Sequence, residues 1–174
     1  MKIFYKVLFS IALTLFSLSA FAHATIGIFD MNRAVFSTDA WQEEVRSLEE
    51  TFREDQQTAE SLRTELATLM AELENNAPVL SLAEMQRLQE QGQFKQLQLQ
   101  RIGERAQTAL QNSQNAFIER YRALLGDAIN DVYEEGGYDL ILRAETVVLS
   151  SFEYDITADV TATLNQLIAA TNSN

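Results

Sequence analysis

The sequence predicts an α+β protein: a long antiparallel helical hairpin, or coiled-coil arm, projecting from a small β body that completes its sheet with other copies. Three observations predict it. From Trp41 the apolar residues step by four and three: Trp41, Val45, Leu48, Phe52, then Ala59, Leu62, Leu66, Leu69 and Leu73, with Asp55 in the one gap. A seam this narrow belongs to a coiled coil, which needs a facing helix. The only proline, Pro78, sits between two helical patterns and forbids one continuous helix. Short β-rich runs lie outside the helices at both ends, too few to bury a sheet from one chain.

The N-terminus, residues 1–24, reads as a secretory signal peptide. Lys2 and Lys6 supply the positive region, and Val7 to Phe16 is an apolar run. That run is about ten residues, half of the roughly twenty that cross a bilayer. Two A-x-A sites overlap, Ala20-Phe21-Ala22 and Ala22-His23-Ala24. Cleavage is expected after Ala24, because a strand-like run starts at Thr25. The rival reading, an uncleaved anchor, is disfavoured by the short apolar run. Removal of residues 1–24 from 174 leaves 150, enough for one domain. It also removes the only His and two of the three Lys, so 11 basic residues face 25 acidic ones, a net charge of −14. Such acidity argues against nucleic acid and against anionic lipid as partners. No later segment is apolar enough for stable membrane insertion. The expected destination is the periplasm of a Gram-negative cell, and the absence of Cys means no disulfide is used there.

Residues 25–37 are expected to hold the first body strand, with Ile26 and Ile28 on one face and Phe29 and Met31 on the other. The arm spans residues 38–135. Ser37 or Thr38 caps its first helix, Asp39 favours the dipole, and the helix runs to about Glu74. The tip lies at about 75–81. Ser81 and Glu84 form a capping box that opens the second helix, which runs to about Glu135. Its Gln-rich stretch, 86–100, reads as a solvated surface. Its base, 117–135, carries the broader stripe Leu124, Leu125, Ala128, Ile129 and Val132, which packs on the body. Residues 136–174 return to the body. Gly136-Gly137 ends the helix as a left-handed cap; a phosphate cradle would need a helix starting directly after it. Tyr138 to Leu142 is a second strand, Arg143 to Glu145 a turn, and Thr146 to Leu149 a third strand. Asp155 or Thr157 caps a last helix with Val160, Leu164, Leu167 and Ile168 on one face.

The residue inventory speaks against an enzyme. Without Cys and, after processing, without His, the usual zinc sites and nucleophile–base pairs lose their parts. Asp155 and Asp159 share a helix face, but capping and a solvent charge explain them more simply than a carboxylate pair or cation site. No catalytic residue, metal or cofactor is expected. The basic residues Arg87, Lys95, Arg101 and Arg105 lie along the distal second helix beside Glu84, Glu90 and Glu104. They read as coiled-coil partners before they read as a phosphate patch.

The order strand, long hairpin, two strands, short helix resembles the Skp/OmpH family of periplasmic chaperones. The opening IGIFDMNRAVFST is similar to the family's first strand and the start of its arm. The closing YDLILRAETVVLSSFEYDITADVTATLN resembles its terminal block, especially DITADV at 155–160 with Leu164-Asn165. The resemblance covers residues 25–168. It implies a homotrimer whose strands form a shared body and whose arms surround a cavity. It implies an ATP-independent holdase for unfolded outer-membrane β-barrel proteins. The trimer-body candidates are Ile26, Ile28, Phe29, Leu140, Leu142, Val147 and Leu149. Client binding would be spread over the inner arm faces. The best-known member is basic and this chain is acidic, so lipopolysaccharide binding is not carried over. The alternative is an envelope coiled-coil scaffold or adaptor gripping one folded partner through the mildly apolar tip, Pro78, Val79 and Leu80.

Overall fold

A computed structural model describes residues 24–173. The export signal expected over residues 1–24 lies, apart from Ala24, outside the described residues. The order of elements is β1 (Ile26–Phe29), α1 (Met31–Phe36), α2 (Asp39–Thr51), α3 (Arg53–Asn76), α4 (Leu82–Gly136), β2 (Leu140–Arg143) and α5 (Thr157–Asn172). It is the α+β architecture expected: two long antiparallel helical segments on a body with a small sheet.

The single helix α4 is 55 residues long, so it extends ~80 Å at ~1.5 Å per residue. It begins at a complete capping box. Ser81 Oγ accepts from the Glu84 N–H at 3.3 Å, and Glu84 Oε2 accepts from the Ser81 N–H at 2.9 Å. The Ser81 hydroxyl also donates to Glu84 Oε2 at 2.6 Å, and this bond first, then the one from the Ser81 N–H, holds the Glu84 carboxyl below its usual range. The helix ends at Gly137, where φ is +60°, a left-handed position that glycine occupies without the Cβ penalty.

The first arm helix is not continuous. It breaks at Phe52, between α2 and α3. Thr51 Oγ1 donates to the Ser47 carbonyl at 2.9 Å. The same bond at Thr64 and Thr68 leaves α3 continuous, so the break is marked by the Phe52 backbone itself, with φ −96° and ψ 8°. The two arm segments stay in register through ion pairs, Asp55 with Arg105 at 3.0 Å and Glu65 with Lys95. Both sums of residue numbers equal 160, which fixes the hairpin register. The buried arm residues are few: Ala59, Leu62 and Leu88. The seam is as narrow as a two-helix contact allows.

The body is one hydrophobic cluster. Ala34 and Val35 of α1, Trp41 of α2, Phe117, Leu125, Ala128 and Val132 of α4, and Val160, Leu164 and Ile168 of α5 share it with Phe29. Strands β1 and β2 pair in parallel, with Ile26 opposite Leu140 and Phe29 opposite Arg143. On its other side β1 makes a single bridge, Ile28 with Asp155. Gly27 sits where a Cβ would come within 2.6 Å of the Ile156 side chain.

Two expectations for the body are corrected. The first strand ends at Phe29, not beyond Met31. Asp30 accepts from the Arg33 N–H at 2.9 Å and caps a short helix in which Met31 is the first residue. No strand forms at Thr146 to Leu149. Ala144–Thr146 is a 3-10 turn, closed by Thr146 Oγ1 on the Arg143 carbonyl at 2.7 Å and by the Val147 N–H on the Ala144 carbonyl at 3.1 Å. A strand needs a neighbouring ladder, and among the described residues the sheet has only two strands.

Candidate functional site

The arm presents a surface rather than a cavity for chemistry. Met70, Val79, Leu82, Phe94, Leu97 and Leu110 are exposed along it. A polar coiled-coil face does not need them there. Along the two arm segments, an open groove of about 690 Å³ is lined by Asp55, Leu62, Gln98, Arg101, Ile102 and Arg105, among others. Its walls combine the apolar Leu62 and Ile102 with the paired Asp55 and Arg105.

The four basic residues of the distal helix do not act together. Lys95 pairs with Glu65, whose carboxyl is held below its usual range first by the Lys95 hydrogen bond and then by Ser61. Arg105 pairs with Asp55. Arg87 lies near Glu84, and Arg101 lines the groove. The coiled-coil reading therefore holds for Lys95 and Arg105. No group of three or more His, Cys, Asp or Glu able to hold a metal occurs among the described residues. No helix among them is long and apolar enough to cross a membrane.

Asp155 and Asp159 sit in different surroundings. Asp155 Oδ1 accepts from the Thr157 N–H at 3.0 Å, and Oδ2 binds Arg33. Arg33 also donates to Thr157 Oγ1 at 2.7 Å. Asp155 thus joins the start of α5 to α1, while Asp159 is exposed on α5. Burial pushes the Asp155 carboxyl up, but the Thr157 and Arg33 hydrogen bonds outweigh it and hold the group below its usual range. A depressed folded-state value stabilises the protein above the unfolded value, near ~4, and that stability is lost as pH falls through the folded value. Acid unfolding of the Asp155→Asn variant should therefore show a shallower pH dependence below pH ~4 than wild type. Parallel curves, compared by circular dichroism, would remove Asp155 from the acid response.

The seven body residues named from sequence fall into three groups. Ile28 and Phe29 are already buried within the chain. Ile26, Leu142 and Val147 are half-buried. Leu140 and Leu149 are exposed, the latter at 90 %. Sequence reasoning passed over Val148, Phe152 and Tyr154, which are exposed in the same segment. The run Val147-Val148-Leu149 followed by Phe152 carried the signal, because apolar residues of both parities leave no solvent face.

The family described as "Outer membrane protein (OmpH-like)" matches residues 25–164. A Skp-like protein of Pseudomonas aeruginosa is 22% identical over 149 residues, covering 86% of this chain and 89% of its own. The chaperone protein Skp of Yersinia enterocolitica is 25% identical over 154 residues, covering 87% and 92%. An OmpH-like crystal structure from Caulobacter crescentus is 23% identical with a TM-score of 0.48, covering 84% of this chain and 86% of that one. With the family match extending over most of its length, the chain belongs to the Skp/OmpH family of OmpH-like outer membrane proteins.

Proposed function

We propose that this protein is an ATP-independent periplasmic holdase that binds unfolded outer-membrane β-barrel proteins between the arms of a homotrimer. One observation carries the reading: long arms expose scattered apolar side chains, Met70, Phe94 and Leu97 among them, while the body leaves a two-stranded sheet and an apolar loop uncovered. Small sheets with open edges are stable only when paired. Residues Leu140, Leu142, Val147 and Leu149 of three copies would complete the body and set three arms around one space. Many weak contacts then hold a client through their sum and release it without energy input. Lipopolysaccharide is not part of this reading, since Lys95 and Arg105 are engaged with acidic partners.

The test is dilution of a urea-unfolded outer-membrane β-barrel into buffer with the purified protein. At one trimer per client and without nucleotide, light scattering should stay at baseline. The exposed Val79 and Leu82 at the tip favour the second reading, a scaffold gripping one folded partner. Aggregation unchanged by the protein, with tight capture of one folded envelope protein that a tip substitution abolishes, would establish that reading instead.

A further inference from the structure

The pairing of β1 with β2 starts one residue ahead of either strand. The Thr25 N–H donates to Asp139 Oδ2 at 2.8 Å, and the Asp139 N–H donates to the Thr25 carbonyl at 2.8 Å. Residues 25 and 139, 114 apart in sequence, therefore clasp each other reciprocally. The nitrogen that Asp139 holds is the one that follows Ala24.

In the uncleaved chain that nitrogen is a neutral amide. Hydrolysis of the Ala24–Thr25 bond consumes one water: the carboxylate departs on Ala24, and Thr25 is left with an amine that is mostly protonated at pH 7. We propose that Asp139 is the receptor for the N-terminus created by cleavage after Ala24, so that processing converts an amide hydrogen bond into an ion pair at the mouth of the sheet. The proposal rests on the export reading. It goes further by separating the two overlapping cleavage sites. Cleavage after Ala22 would put the ammonium on His23, two residues out, and leave the Thr25 nitrogen an amide.

The charge that meets this nitrogen favours a cation. Among the described residues Asp139 is the only charged side chain bonded to the Thr25 nitrogen. Glu134 and Glu135, exposed in the last turn of α4, precede β2. Arg143, the basic residue of β2, lies at its far end against Glu145 at 3.0 Å. Asp30 and Asp155 belong to the other end of β1, where Arg33 and Thr157 engage them.

Thr25 and Asp139 are exposed, so the pair contributes little to global stability and is screened by salt. The amine itself is the better reporter. An ammonium beside a carboxylate gives up its proton less readily, and only the free amine acylates. A threefold reduction in free amine corresponds to ~0.65 kcal/mol, within the range of an exposed ion pair.

The experiment has two arms. The full precursor is exported in a Gram-negative host, and the mature chain is weighed by intact mass spectrometry. The expected N-terminus is Thr25. The mature protein is then acylated at pH 7 with a limiting amine reagent, and Thr25 labelling is read by peptide mass spectrometry. Labelling should be about threefold slower in wild type than in Asp139→Asn. The difference should vanish in urea and at high salt, and Asp139→Glu should restore slow labelling. The high-salt arm on wild type needs no variant to fold. An uncleaved chain would sink both the export reading and this one. An N-terminus at His23, or equal rates in wild type at low and high salt, would overturn the receptor alone.

Discussion

Replacing Phe117 with alanine should lower stability by about 3–5 kcal/mol per chain, the range for removing a buried aromatic ring from a close-packed core. Phe117 is 1 % exposed. Its ring lies 5.1 Å from that of Trp41, edge-on at 74°, and 4.7 Å from that of Tyr121. Trp41 in turn stands 4.8 Å from Phe36. One continuous row of rings thus clasps α1, α2 and α4 where the arm leaves the body. Each such pair adds about 0.5–1.5 kcal/mol beyond the area it buries. Phe117 is the ring through which α4 meets Trp41 of α2, so the variant should loosen the arm from the body before it frays the tip. Phe94→Ala is the matched control. Phe94 is 61 % exposed on the same helix, and its loss should change stability by no more than about 0.5 kcal/mol. Urea unfolding of both at the same fixed protein concentration measures the difference, because the stability of an assembling protein depends on concentration. Equal midpoints for the two variants would show that the ring row does not anchor the arm.

The parts of the fold that were legible in sequence are those decided within a few residues. Ser81 and Glu84 announce their capping box by spacing alone, and Gly137 announces a left-handed stop. The body face of α5 is written at Val160, Leu164 and Ile168, all of which are buried. What escaped depended on distant neighbours. Asp30 could have stayed in an extended strand; its N–H is instead bonded to Thr157 Oγ1 at 3.0 Å, 127 residues away, which turns the chain into α1. Thr146 to Leu149 has strand composition, yet one chain offers it no ladder, so local turn bonds win. The break at Phe52 falls where the apolar spacing runs on unchanged through Leu48 and Phe52, so periodicity does not register it. As for the proposed client surface, Phe94 and Leu97 fall within the stretch read as solvated, and Met70 stands outside the apolar seam. Only the hairpin register shows that the facing helix leaves them uncovered.

Shortening the arm in register should separate assembly from client protection. Deleting Glu60 to Met70 together with Glu90 to Gln100 removes eleven residues from each arm segment, about three turns or ~16 Å. The residue-number sum of 160 is preserved at the new junctions, and Ala59 is followed by Leu73 at seam spacing. The Asp55–Arg105 pair and the Glu44–Arg120 pair near the body remain, while the Glu65–Lys95 pair and the exposed Met70, Phe94 and Leu97 are lost. Because the core cluster lies wholly outside the deleted stretches, the midpoint of unfolding and the sedimenting mass per assembly, scaled for the missing residues, should match wild type. Client affinity should fall about tenfold, since losing ~1.4 kcal/mol of summed contacts is enough for that. A second variant keeps the arm at full length and changes Met70, Phe94 and Leu97 to Ser. If apolar contact holds the client, this variant should lose a comparable share of protection in the light-scattering assay. If enclosure alone holds it, the triple substitution should protect like wild type and only the shortened arm should fail. Full protection by both variants would mean that the client is held at the body, and the arms would have to be assigned another role.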